Sequence, residues 1–197
     1  MDTLAGCSYR IKMIKTNYFV LTGAMGAGKS AVIDALRAMD FRCIAEPARI
    51  VLKEQRRLNG NGVPEKDPAL FNMLMLEKML SDYEGNLNAA EPVVFDRGVP
   101  DLIAYAELLG TDKSKHETAA AKCRYNPLVF LFNAWEEIYI TDDERKMSFQ
   151  LAREFGENAG SIYRRLGYTT IEVPFAPVRE RAEFIAERIS GSNSNSK

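Results

Sequence analysis

Five short runs of apolar, strand-favouring residues recur along the chain, at 18–22, 41–45, 93–96, 128–132 and 169–173. Each is too short for a buried helix and is followed by turn formers or charged residues. Between the runs the apolar positions change to helical spacing. Val32, Ala35, Leu36 and Met39 share one stripe behind the first run. A second helix is predicted from Pro47 to Leu58, stopped by Asn59-Gly60-Asn61-Gly62. Asp67 and Pro68 supply an N-cap and first-turn pair for a third, which runs through Leu70, Met73, Leu74 and Leu80. A fourth follows Pro100, a long one covers about 142–166, and the last covers about 177–189 with Val178, Ala182, Ile185 and Ile189 on one face. Strands alternating with helices predict an α/β fold, a parallel sheet with helices on both faces. Ligands of such a sheet sit beyond the carboxyl ends of its strands.

Directly behind the first run stands Gly23-Ala24-Met25-Gly26-Ala27-Gly28-Lys29-Ser30, a complete G-x-x-x-x-G-K-S/T phosphate loop. Its glycines let the backbone wrap a polyphosphate with N–H groups turned inward. Lys29 can reach the β- and γ-phosphates, and the Ser30 hydroxyl suits Mg²⁺. From Ala31 a helix opens whose positive end favours the same anion. The expected nucleotide-binding set is Gly23, Ala24, Met25, Gly26, Ala27, Gly28, Lys29, Ser30 and Ala31, with ATP and Mg²⁺ as cofactors. The expected architecture is a P-loop NTPase sheet of five parallel strands in the order 2-3-1-4-5, kinase-like, with a lid at about 133–146.

Other strand ends add direction. Asp96 closes the third run as a Walker B carboxylate does and is expected on the metal beside Ser30; its other reading is an acidic turn residue. The following residue is Arg97, where motor ATPases of the larger AAA group place a water-activating Glu, and the next acid is Asp101. That favours transfer of the phosphoryl group over rapid hydrolysis. Glu46, after the second run, can accept a proton from an acceptor hydroxyl, or complement the dipole of the helix it precedes. Arg49, one turn on, holds acceptor groups or pairs with Glu46. Arg97 neutralises phosphoryl charge or forms a structural ion pair, and Arg145 is either a lid arginine or a solvated helix residue. Expected catalytic residues are thus Lys29, Glu46, Asp96, Arg97 and Arg145, and expected substrate residues Glu46, Arg49, Arg97 and Asp101. Trp135 covers a ligand or packs; an adenine ring can rest near Pro174–Val178. His116, among Lys113, Lys115 and Glu117, reads as surface, and Met73, Met75 and Met79 read as core filler that can still line an acceptor pocket.

Composition narrows the setting. At 197 residues the chain fits one domain at 18–190, with an N-terminal extension at 1–17 and a polar tail at 191–197 expected to be disordered. With 26 basic and 27 acidic residues there is no electrostatic footprint for nucleic acid or an anionic membrane. Cys7, Cys43 and Cys123 are widely spaced, which suggests neither a disulfide framework nor zinc; Cys43 reads as a small buried apolar residue. No apolar run reaches 18 residues, and the first 17 do not resemble a secretory signal, so a reducing, cytoplasmic location is expected. No N-K-x-D guanine signature follows the fourth or fifth run, which favours ATP over GTP. The oligomeric state stays open.

Taken in order, the phosphate loop, E-P-A-R at 46–49, F-D-R-G-V-P-D at 95–101 leading to Tyr105, Y-N-P-L-V-F at 125–130, D-D-E-R at 142–145 and Y-R-R-L-G-Y at 163–168 resemble the AAA-domain ATPases of the nicotinamide-riboside-kinase type over about residues 17–190. A looser similarity is to deoxynucleoside kinases, which also carry Glu-Pro after the second strand and an acid-Arg pair after the third. Here Gly98 stands where those enzymes usually have Ser. The resemblance implies MgATP binding, with Glu46 as base and Asp96-Arg97 as the metal and phosphate group. The resulting expectation is a small-molecule kinase that phosphorylates a nucleoside-like or other metabolite hydroxyl. The alternative is a nucleotide-dependent switch or ATPase acting through a protein partner.

Overall fold

The computed structural model describes residues 14–139 and 147–194. Residues 140–146 of the expected lid, with Arg145, the stretch before residue 14, and residues 195–197 lie outside the described residues. In chain order the elements are β1 (Tyr18–Gly23), α1 (Lys29–Ala38), β2 (Arg42–Ile44), α2 (Pro47–Arg57), α3 (Pro68–Gly85), β3 (Val93–Asp96), α4 (Val99–Leu109), α5 (Ser114–Lys122), β4 (Leu128–Phe132), α6 (Phe149–Arg165), β5 (Thr169–Glu172) and α7 (Val178–Ser194), with a single 3-10 turn at Glu136–Ile138.

The sheet order is β2-β3-β1-β4-β5, with every pairing parallel. β1 lies at its centre and is buried along its whole length. Because side chains alternate across a strand, β1 feeds two cores. Tyr18 and Val20 point into the layer formed with α2 to α6, whereas Phe19 and Leu21 point into the layer formed with α1 and α7. The first layer is anchored by a ring cluster in which Tyr18 lies 5.0 Å from both Tyr83 and Phe95, and Tyr125 lies 5.4 Å from each of these two. Since all five strands run one way, Gly23, Asp96 and Phe132 emerge together at one edge, joined there by Glu46 two residues past β2.

Three expectations need correction. The long helix begins at Phe149 with Ser148 as its N-cap, the Ser148 hydroxyl accepting from Leu151 N at 3.2 Å. α7 runs through Ser194, so residues 191–194 are helical; the Ser192 hydroxyl donates to Arg188 O at 2.7 Å. His116 is not at the surface. It lies on α5, a helix absent from the expectation, and is 2% exposed. Its ring borders a cleft of about 160 Å³ together with Ala69, Met73, Thr111, Asp112 and Lys115. Met75 and Met79 are core residues, as expected, while Met73 is only partly buried. Cys43 is half-buried on its edge strand. No helix among the described residues is long and apolar enough to cross a membrane.

Burial pushes the His116 pKa below its ordinary 6.5, against a smaller upward pull from the Asn72 backbone and Asp112. The unfolded chain therefore binds this proton more readily than the folded one, and stability rises with pH from the lowered value up to about 6.5. Urea midpoints of wild type and His116→Gln across that window are expected to converge as pH falls, with the variant showing the flatter slope. Parallel slopes would contradict it.

Candidate functional site

The loop after β1 has the geometry its glycines require. Gly23 takes φ +114°, and a Cβ there would lie 2.2 Å from Phe132 O, so a side chain cannot be fitted. Ala24 N donates to Phe132 O at 2.8 Å, which ties the loop to β4. Gly28 adopts φ +81° as the N-cap of α1, and no side chain caps that helix, leaving its first N–H groups for an anion. Gly156 of α6 packs directly against the loop: a Cβ there would lie 2.6 Å from Ala24 N. The only sequence signal for that role is a glycine inside a helical pattern.

Lys29 is 6% exposed and donates to Ala24 O at 2.6 Å. Burial, then the Arg97 charge, pushes its pKa down to about 7, against the pull of Asp96, Glu46 and Asp101. Asp96 is 5% exposed, and its Oδ1 has no hydrogen-bond partner. Burial, then the Glu46 charge, pushes its pKa up to about 6, while Lys29 and Arg97 hold it down. A buried carboxylate oxygen without a donor beside the phosphate loop fits a cation, and Ser30, at the start of α1, carries a hydroxyl of the kind such an ion takes. The donor set therefore fits Mg²⁺.

Arg97 sits at φ +74°, in the left-handed region, and its guanidinium is buried. Nε donates to Glu46 Oε1 at 3.0 Å; Nη1 donates to Asp101 Oδ1 at 2.9 Å and to Gly23 O at 3.2 Å. Asp101 corrects the sequence reading, which placed it against the substrate. It is fully buried and accepts four hydrogen bonds: from the Thr22 hydroxyl (2.6 Å), Arg97 Nη1 (2.9 Å), Gly98 N (3.0 Å) and the Tyr163 hydroxyl (2.7 Å). With its lone pairs occupied and no exposed surface, it positions Arg97 rather than touching a ligand. The departure at Gly98 also gains a reason: a Cβ there would lie 2.7 Å from the Tyr163 hydroxyl, so a Ser would displace this bond.

Glu46 is held between two arginines, with Arg97 on Oε1 and Arg49 Nε 3.3 Å from Oε2. Burial raises its pKa, but Arg97, Lys29 and Arg49 together outweigh that and keep it below the usual carboxylate range. Arg49 itself is half-exposed and realises its pairing alternative. On the other flank Trp135 lies 5.2 Å from Phe175, and Arg181 stacks over the Trp135 ring at 5.3 Å. Thr22, Gly156 and Arg181 pack on the loop or on Asp101 and had no role in the sequence analysis; Tyr163 appeared there only within a motif, and Phe175 lies in the 174–178 stretch set beside an adenine ring.

A family model described as an AAA domain matches residues 18–181. No curated protein matches the chain in sequence. Among solved structures, deoxyadenosine kinase from M. mycoides with products dCMP and a flexible dCDP bound is similar at a TM-score of 0.64 and 13% identity, over 88% of this chain and 99% of that one. The NadR protein in complex with NR gives a TM-score of 0.60 at 19% identity, over 90% of this chain but 52% of its own length, so this chain spans about half of it. Shikimate kinase from Acinetobacter baumannii in complex with shikimate gives 0.55 at 14%, over 91% of this chain and 95% of the other. At these identities the likeness shows a shared P-loop kinase-like fold.

Proposed function

The chain belongs to the AAA-domain family, and from that premise we propose that it is a MgATP-dependent small-molecule kinase passing the γ-phosphoryl group to a metabolite hydroxyl. The observation that carries this reading is Glu46, a carboxylate kept ionised at neutral pH by Arg97, Lys29 and Arg49 while Arg97 stands in the place a hydrolytic Glu would take. A nucleoside-like acceptor is the favoured class, because the similar structures include a kinase solved with nucleotide products and a protein solved with NR.

In this mechanism the N–H groups of Gly23–Ser30 and the uncapped start of α1 hold the polyphosphate. Lys29 donates to the β- and γ-phosphate oxygens, whose charge favours its ammonium form. Ser30 and Asp96 would hold Mg²⁺, which supplies neutralisation of the phosphate charge. Glu46 orients the acceptor hydroxyl and takes up its proton at a carboxylate oxygen as the new O–P bond forms, while the bond from the γ-phosphorus to the β,γ-bridging oxygen breaks and ADP leaves. Arg97, locked by Asp101, fixes the direction of Glu46.

The test incubates the protein, Mg²⁺ and γ-labelled ATP with a pool of nucleosides and hydroxylated metabolites. Label is expected in an acceptor; label released only as phosphate would favour the switch reading instead. Glu46→Gln is then expected to lower transfer by about 10²–10⁴-fold while ATP affinity stays within about two-fold. Unchanged turnover with a phosphorylated acceptor would remove Glu46 from its role.

A further inference from the structure

Arg181 is a buried cation with no carboxylate partner among the described residues. It lies in the first turn of α7, is 4% exposed, and its Nε has no partner. Nη1 donates to Ala27 O at 3.0 Å, and the flat guanidinium rests over the Trp135 ring. No ion pair to Arg181 forms among the described residues, and burial alone acts on its pKa, pulling it down. Arg97, equally buried, has two carboxylates. A buried cation held only by a carbonyl and a ring face is costly unless an anion joins it. The place where Arg181 lies names the anion. A Cβ built on Gly28 would be 2.8 Å from Nη1 and 3.1 Å from Nη2, so the guanidinium presses directly on the part of the phosphate loop that opens α1.

We infer that Arg181 is a nucleotide-binding residue, whose guanidinium donates to a phosphate oxygen of the bound nucleotide at the Ala27–Gly28 side of the loop, with Trp135 as the flat support that keeps it there. This builds on the nucleotide binding proposed above, but not on the transfer step. Lys29 serves the β- and γ-phosphates. Arg181 reaches the loop from α7 at Ala27 and Gly28, whereas the Lys29 ammonium lies at Gly23 and Ala24, and so it grips the nucleotide away from the atom being transferred. It is therefore expected to act on affinity, for ATP and ADP alike, and much less on kcat.

Calorimetric titrations of the full chain with MgATP, MgADP and inorganic tripolyphosphate test this. In Arg181→Met all three dissociation constants are expected to rise by about 10–100-fold, the loss of one charge-assisted hydrogen bond. Arg181→Lys, which keeps the charge, falls in between. Without nucleotide the Met variant is expected to melt no lower than wild type, because a buried unpaired charge has gone, while the rise in melting temperature on adding ATP shrinks. Trp135 is the sole tryptophan, and the shift of its emission on adding ATP is expected to diminish in the same variant. Wild-type affinities in Arg181→Met, or a lower melting temperature with an undiminished ATP-induced rise, would overturn the inference and leave Arg181 a structural residue. Loss of ATP binding with tripolyphosphate unaffected would also overturn it, since the contact would then be to the base. If wild type itself bound no nucleotide, the nucleotide reading would fall first; binding without phosphoryl transfer would leave Arg181 in place.

Discussion

Asp101→Ala is expected to lower the melting temperature by roughly 6–20 °C. The carboxylate is fully buried and serves four donors, Thr22 on β1, Tyr163 on α6, and Arg97 and Gly98 in the loop between β3 and α4. Its removal leaves Arg97 buried with Glu46 as its remaining carboxylate and strands the Thr22 and Tyr163 hydroxyls. Breaking a buried pair of this kind costs about 3–5 kcal/mol, and a domain of this size loses about 2–4 °C per kcal/mol. Asp101 also caps its own helix, because Gly98 N donates to it from the N-cap position of α4. Asp101→Asn keeps the shape but supplies two N–H donors where only acceptors fit, so it is expected to lie between alanine and wild type. Circular-dichroism melts at neutral pH decide the matter; a shift under a few degrees for alanine would mean that Arg97 finds another partner.

Lys29→Met is expected to reduce phosphoryl transfer by at least about 10²–10³-fold, the scale seen when a preorganised charge is withdrawn from a developing anion. Its effect on stability has the opposite sign. The folded protein holds this lysine at a pKa of about 7 against an ordinary 10.5. Across that interval the unfolded chain binds more protons than the folded one, so wild-type stability rises with pH between these values. The variant removes that slope, and near pH 7 it is expected to be at least as stable as wild type without nucleotide. Denaturant midpoints at several pH values, with transfer assayed in parallel, separate the two effects. A variant both inactive and strongly destabilised at pH 7 would show that Lys29 holds the loop together instead.

The residues legible in the sequence are those whose role is set by neighbours in the chain. The phosphate loop is contiguous, and strands alternating with helices bring Glu46, Asp96 and Arg97 to one edge of a parallel sheet by topology alone. Asp101 was not legible in the same way. As the third residue of α4 it could face the cleft or the core, and the choice is made by Thr22 and by Tyr163, which lie far from it in sequence. His116 was hidden by its charged neighbours, although His116, Ala119 and Ala120 form an i, i+3, i+4 face; alanine is too weak a signal to reveal it. Arg181 was hidden by the stripe it interrupts. It lies three residues after Val178 and four before Ile185, inside the apolar face of α7, where a charge is out of place unless something answers it.

The central position of β1 shapes how the protein comes to be folded. Tyr18 pairs with Val93 and Val20 with Val129, so the strand made first waits for both of its neighbours. Closing loops of that length precedes any reward from pairing, which places the chain among slow folders. While it waits, Tyr18–Gly23 is an unpaired apolar segment with both edges open, the kind that joins other chains. The same strand that later lies shielded between two cores is, during synthesis, the segment most in need of protection.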